Sequence, residues 1–441
     1  MMKWFGSSKS KKERIYLDYA SATPILPEAA LVVANAQGTF GNPGSIHAEG
    51  VAAARSLKDS RERIAREIGA KAREIIFVSG GTEANNLAIL GFARAIEFGK
   101  IQSSELNGSQ APSFVSSSGI SPISQTHWIV SSIEHPSVLE CFGEVERLGG
   151  KVDFVDPDAN GIIRPDAVAR LLRTETIFVS IGWGNSEIGV VQPLGHIARV
   201  LRAHEKTHDS TILFHSDAGQ TPLYDASNVH SLGVDLLTLD SGKLYGPRGI
   251  GCLYVDQEVT LAPIQLGGNQ ERGLRAGTEN VALAAGFAEA FSIIGRERTA
   301  ESKRLRALRD DLASQIVAQL PGTIINGSTS LTTGGNPARS MPHILNISIP
   351  DISSEYITLA LDHAGIAIST KSACREGDAK ESHVVKILAS AAEVSTKEVQ
   401  VSQWRSRNTL RFSFGRDSHT NDNKRIVDTL VKVIAEYRTR S

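Results

Sequence analysis

The chain has 441 residues, enough to bury a large core in roughly two or three domains. With 41% hydrophobic and 22% charged residues it is an ordinary globular protein, not a disordered or fibrous one. A net charge of −1 gives no long-range pull toward nucleic acid or an acidic membrane, and three cysteines are too few and too odd for a disulfide framework.

The opening Met1–Gly6 lacks the apolar core of a signal peptide, and Lys9, Lys11, Lys12 and Arg14 read as a solvated tail. No apolar run reaches membrane-spanning length, so the expectation is a cytoplasmic protein with no membrane contact. A helix is expected over Ala52–Ile68, then a strand over Ile75–Ser79. Gly80, Gly81 and Thr82 follow and open an amphipathic helix carrying Leu87, Leu90 and Gly91. Two glycines and a threonine there leave N–H groups and a hydroxyl for an anion; a capping box with Ser79 or Thr82 at the N-cap is the structural alternative. Gln102–Gln125 is rich in Ser, Gly and Pro without periodicity and reads as a mobile insertion, about 102–126, of no assigned function.

Strands are then expected over Trp128–Ser131, Val152–Val155, Ile177–Ile181 and Ile212–His215, with a helix over Arg164–Leu172 between them. This alternation predicts parallel βαβ units. The run ending at His215 delivers Asp217, with Gln220 three residues on, where open α/β sheets place ligands. Asp217 suits a protonated ring nitrogen, or a plain turn. The strand Leu236–Leu239 then delivers Lys243 into a turn dense in glycine and proline, Asp240 to Gly249, before the strand Gly251–Val255. A lysine held between strand ends suits a Schiff base with an aldehyde cofactor, although an isolated turn lysine is usually solvated. Together, the phosphate cradle, the carboxylate and the lysine describe pyridoxal 5'-phosphate (PLP).

Further on, Val281–Gly295 reads as a buried helix and Arg298–Leu320 as a long charged one leading into a smaller α+β domain. That domain holds a strand at Ile344–Ile349, a helix at Ser354–Ala364, a polar loop around Cys374 and a strand at Thr409–Phe414. Cys141 and Cys252 read as buried hydrophobes, whereas Lys371 and Arg375 flank Cys374 and favour its thiolate. The P-loop, GxSxG, HExxH and CxxC patterns are all absent, which removes the first requirement of a P-loop NTPase, a hydrolase or a structural zinc site; no metal is expected.

Many ordered segments carry a resemblance to cysteine desulfurases of the NifS/IscS group, within the class V aminotransferase family of PLP enzymes. They include Tyr16–Pro24, Phe40–Ser45, Ser79–Glu83, Glu134–His135, Asn185–Gly189, Asp217–Gln220, Gly242–Gly249, Glu271–Thr278, Ser372–Cys374 and Leu410–Gly415. The resemblance implies an α/β PLP-transferase-like large domain with a mixed, mostly parallel sheet flanked by helices, over about residues 30–297, and a smaller α+β domain over 298–441 that residues 1–29 rejoin. It implies conversion of L-cysteine to L-alanine, with sulfur captured as a persulfide on Cys374 for an iron–sulfur scaffold or a tRNA-thiolation enzyme. Lys243 would tether PLP and move the α-proton, His135 would stack on the ring, and Asp217 and Gln220 would hold its nitrogen and hydroxyl oxygen. Gly81, Thr82, Ser241 and the partner subunit's Thr278 would hold the phosphate of a homodimer, and Asn185 and Arg411 the substrate carboxylate. The Ser-Ala-Cys context points to the long-loop subgroup. Alternatives are a selenocysteine lyase, an aminotransferase, or a catalytically impaired sulfur-transfer scaffold. One departure stands out: the family places serine and histidine where this chain has Asp240 and Gly242. The expectation is that Asp240 turns away from the phosphate while Ser241 and Arg248 or Arg275 compensate, the alternative being weaker binding of PLP.

Overall fold

A computed structural model describes residues 14–99, 121–327, 340–370, 381–396 and 401–440. The core of the 102–126 insertion and Cys374 therefore lie outside the described residues.

Strand β1 (Ile15–Tyr16) and helices α1 (Pro27–Ala36) and α2 (Ala48–Ile68) precede β2 (Ile75–Val78) and α3 (Gly81–Glu97). Next come β3 (His127–Ser131), α4 (Pro136–Arg147), β4 (Lys151–Val155), α5 (Pro165–Leu171), β5 (Thr176–Ser180), α6 (Leu194–His208) and β6 (Leu213–Asp217). After these follow α7 (Val229–Leu232), β7 (Leu236–Asp240), β8 (Gly251–Val255) and α8 (Val281–Gln319). The chain closes with β9 (Ile324–Asn326), β10 (Ile344–Ser348), α9 (Ser354–His363), β11 (Ile366–Ala367), α10 (His383–Thr396), α11 (Val401–Arg407), β12 (Thr409–Ser413) and α12 (Thr420–Arg440).

Among the described residues, seven strands form one mixed, mostly parallel sheet in the order β2-β8-β7-β6-β5-β3-β4; β8 runs antiparallel to both neighbours. Helices cover both faces, so the inner strands β3, β5 and β8 are buried at every position instead of alternating with polar residues. Successive side chains feed two cores. Trp128 and Val130 join Phe92, Phe142 and Phe178 on one face, whereas Ile129 joins Val179, Phe214 and Leu237 on the other.

A second lobe holds the antiparallel order β12-β10-β9, with its own core of Leu305, Leu312, Leu345, Phe412 and Ile426. Ile15 and Leu17 belong to that core, because β1 pairs in parallel with β11.

The two segments expected as separate helices, Val281–Gly295 and Arg298–Leu320, form one helix of 39 residues. Gly295 does not end it. A Cβ there would stand 2.2 Å from Glu67 Oε2, so this glycine lets α2 pack close, as Gly286 does for Val33 of α1. The first half of α8 packs in the large-lobe core and the second half in the small-lobe core.

Candidate active site

The loop after β7 explains where Lys243 sits. Asp240 ends the strand and accepts the Gly242 N–H at 2.9 Å, which starts the short turn Ser241–Lys243. Ser241 then lies against Gly246, where a Cβ would be 2.2 Å from its Oγ, so only glycine fits. Residues from the chain start clamp this turn: Thr23 Oγ1 donates to the Gly242 carbonyl at 3.1 Å and accepts the Tyr245 N–H at 2.9 Å.

Asp217 faces the same space from the end of β6. Its Oδ1 accepts the Gly219 N–H and its Oδ2 accepts Asn85 Nδ2, both at 2.9 Å. Asn85, from α3, also donates to Ser137 Oγ at 2.9 Å, so three elements fix the carboxylate. Gly219 sits between acid and amine: a Cβ there would stand 3.2 Å from Asp217 Oδ1 and 3.7 Å from Lys243 Nζ.

The cleft around them is lined by His135, Asn185, Asp217, Gln220, Lys243 and His383, among others. His135 caps α4, its Nδ1 accepting the Ser137 N–H at 3.2 Å, which leaves the proton on Nε2. Gln220 is held by the Ala20 carbonyl on Nε2 at 2.7 Å and by His343 on Oε1 at 2.9 Å. Burial pushes the His343 imidazole down to about 3, so it is neutral and donates to Gln220.

Two side chains with no role assigned from sequence also shape the cleft. Glu134 is buried, and burial above all, with the Asp217 charge adding to it, pushes its carboxyl up to about 8. It therefore stands protonated at neutral pH while accepting the Gly182 N–H at 2.8 Å. His383 approaches from the small lobe, its Nε2 3.2 Å from the Glu134 carbonyl. Glu134 was legible only as the neighbour of His135; no sequence signal marks His383.

The substrate-side residues are tied into the frame. Asn185 Oδ1 accepts the N–H groups of Glu187 and Ile188, and Nδ2 donates to the Ile133 carbonyl at 2.9 Å. Arg411, 1% exposed, pairs through Nη2 with Asp18 at 2.8 Å and Ser21 at 2.7 Å, and through Nη1 with the Ser186 carbonyl. Among the described residues its Nε–H is a buried donor without a partner.

The phosphate end departs from expectation. The N-cap of α3 is Gly80, so neither Ser79 nor Thr82 caps it, and Thr82 lies exposed in the first turn. Asp240 does not turn away: its Oδ2 accepts the Gly81 N–H at 3.1 Å, because that amide is an unpaired donor at a helix start. Ser241 does not compensate, its Oγ being buried against Gly246. Arg275 does not either; its Nε donates to Glu83 Oε1 at 2.9 Å. Arg248 is exposed, and so is Thr278. Among the described residues no group of side chains is arranged to hold a metal ion.

Residues 15–103 and 108–426 match the class-V aminotransferase family, and the chain belongs to this family of PLP enzymes. It is 34% identical to the cysteine desulfurase IscS of Dictyoglomus turgidum over 98% of this chain and 97% of that one. Among solved structures, a NifS-like protein superposes with a TM-score of 0.79 at 25% identity, covering 96% of this chain and 100% of that one. SspA in complex with cysteine does so with a TM-score of 0.70 at 29% identity, covering 91% and 98%. The cofactor fits the cleft at its ring end, where an amine, an anchored carboxylate and an imidazole converge on one volume. At the phosphate end the helix start is present but already carries a carboxylate.

Proposed function

We propose that this chain is a PLP-dependent cysteine desulfurase that takes sulfur from L-cysteine and leaves L-alanine. The observation that carries the reading is the convergence of Lys243 and Asp217 on Gly219 within a cleft that His383 of the small lobe also lines. When bound, PLP supplies the electron sink that labilises the bonds at the substrate's α-carbon. Lys243 would hold the cofactor's aldehyde carbon through Nζ, and the same amine would take up and return the substrate's α-proton. Asp217, fixed by Asn85 and the Gly219 N–H, would keep a proton on the ring nitrogen. His135 would face the ring, and Gln220 would offer the N–H of Nε2 left over from Ala20 to the ring oxygen. Arg411 takes the substrate carboxylate through its unpartnered Nε–H, beside Asn185.

Cys374 completes the reaction. Its thiolate attacks the substrate sulfur, forming an S–S bond and breaking the C–S bond; the β-carbon keeps the electron pair and is protonated, giving alanine. The persulfide then passes to an acceptor such as an iron–sulfur scaffold or a tRNA-thiolation enzyme. A nucleophilic thiol needs a reducing compartment, which suits the cytoplasm. Among the described residues no helix is long and apolar enough to cross a membrane.

The working form is a homodimer. Phe40 and Ile46 are 82% and 98% exposed and flank the segment Asn42–Gly44, which borders one cavity with Asn269, Gln270 and Glu279. Leu266, 74% exposed, adds a further uncovered apolar side chain on the stretch of chain that leads to Thr278, whose cofactor role exists only across an interface. The test is incubation of the PLP-loaded protein with L-cysteine and dithiothreitol, the thiol that reduces the persulfide to sulfide, measuring alanine and sulfide in equal amounts. Desulfuration that survives Cys374→Ser would favour a lyase, and absence of any cofactor absorption in the visible would favour an impaired scaffold.

A further inference from the structure

The carboxylate at the start of α3 bears on which form of cofactor the site prefers. Gly251 of β8 pairs with Asp240 of β7, and a Cβ on Gly251 would stand 2.9 Å from the Gly80 Cα. That close approach carries the Gly81 N–H to 3.1 Å from Asp240 Oδ2, while Oδ1 takes the Gly242 N–H at 2.9 Å. Oδ2 is thus held by the first amide at the positive end of a helix of 17 residues, a position that favours phosphate, while Oδ1 is held by the turn that carries Lys243. Arg275 is already paired through Nε with Glu83.

We propose that Asp240 is a resident anion in the phosphate seat, so that the cofactor's phosphate enters by displacing it and the site discriminates weakly between PLP and unphosphorylated pyridoxal. The proposal rests on the PLP reading above. A phosphate dianion cannot share the Gly81 N–H with a carboxylate without strong like-charge repulsion. Pyridoxal carries a neutral hydroxymethyl group at that end; it leaves Asp240 in place and can donate to it. In the cofactor-free chain, Asp240 also keeps the helix start satisfied, so the seat stays formed.

The experiment is a titration of the cofactor-free protein with PLP and with pyridoxal, followed by the visible absorption of the lysine-linked form. Wild type, Asp240→Asn and Asp240→Ser are compared, with thermal unfolding of each. Both variants should bind PLP about tenfold more tightly, the scale of one charge-assisted hydrogen bond, while pyridoxal affinity changes less than twofold. PLP affinity that is unchanged or weaker in both variants, with pyridoxal affinity and Tm preserved, would overturn the proposal. If the variants fold poorly, wild type decides: millimolar inorganic phosphate should not raise its Tm, and a clear rise would overturn the proposal. A chain that forms no lysine-linked species with either aldehyde would instead remove the PLP reading, and this proposal with it.

Discussion

Lys243 reaches its cleft on a turn whose shape depends on Asp240, Ser241, Gly246 and Thr23, so its chemistry and its placement can be tested separately. Lys243→Ala should abolish the visible absorption of bound PLP and all alanine formation, with Tm unchanged within a few degrees. Persistence of a borohydride-reducible, lysine-linked cofactor in that variant would assign the tether to another lysine. Cys374→Ser should keep the cofactor spectrum and stop sulfide release. Glu134 gives a pH signature. Its folded carboxyl is raised to about 8, so the folded state holds a proton that the unfolded chain releases near its ordinary value of 4.5. Its contribution is full below the unfolded value and is lost as pH rises through about 8. Glu134→Gln should therefore flatten the fall of denaturation midpoint between those pH values, and an unchanged slope would show that Glu134 is ionised in the folded protein.

At the scale of elements, the loop Gln270–Gly273 is held in place by one buried acid. Glu271 and Arg272 both adopt left-handed backbone, φ 48° and 60°, which costs about 1–3 kcal/mol per residue unless the surroundings enforce it. Glu271 enforces it by taking two bonds from Arg61, each 2.6 Å, and the Phe77 N–H at 2.9 Å. Arg61→Met leaves that carboxylate buried and unpaired, and should lower stability by about 3 kcal/mol in a denaturant titration. Thr278 lies on the same stretch of chain, so loss of dimer as well as stability is expected. An effect below 1 kcal/mol would mean the loop is held by other contacts.

For the molecule as a whole, α8 is the strut that relates the cofactor lobe to the small lobe, since one continuous helix packs in both cores. Arg411, on β12 of the small lobe, meets Asp18 and Ser21 of the N-terminal segment and also donates to the Ser186 carbonyl of the large lobe, so its guanidinium ties the two lobes together. A dimer of about twice 47.3 kDa is expected by light scattering. Ile46→Asp should shift it toward monomer and weaken PLP retention together. A wild-type monomer that retains PLP would remove Thr278 from the site.

The sequence alone determined the elements whose signals are local. Continuous apolar runs such as Ile177–Ile181 and Leu236–Leu239 marked strands buried on both faces, and the residues carried to their ends, Asp217 and Lys243, marked the cleft. What it could not determine depends on approach between distant segments. Glycine at 295 reads locally as a helix stop, yet close packing of α2 against α8 requires a small residue there, so the helix continues. Asp240 reads as a misplaced charge that should swing outward. Only the meeting of β7, β8 and the start of α3 supplies the unpaired Gly81 N–H that holds it in the phosphate seat. The protonated state of Glu134 likewise follows from burial beside Asp217, which no spacing along the chain encodes.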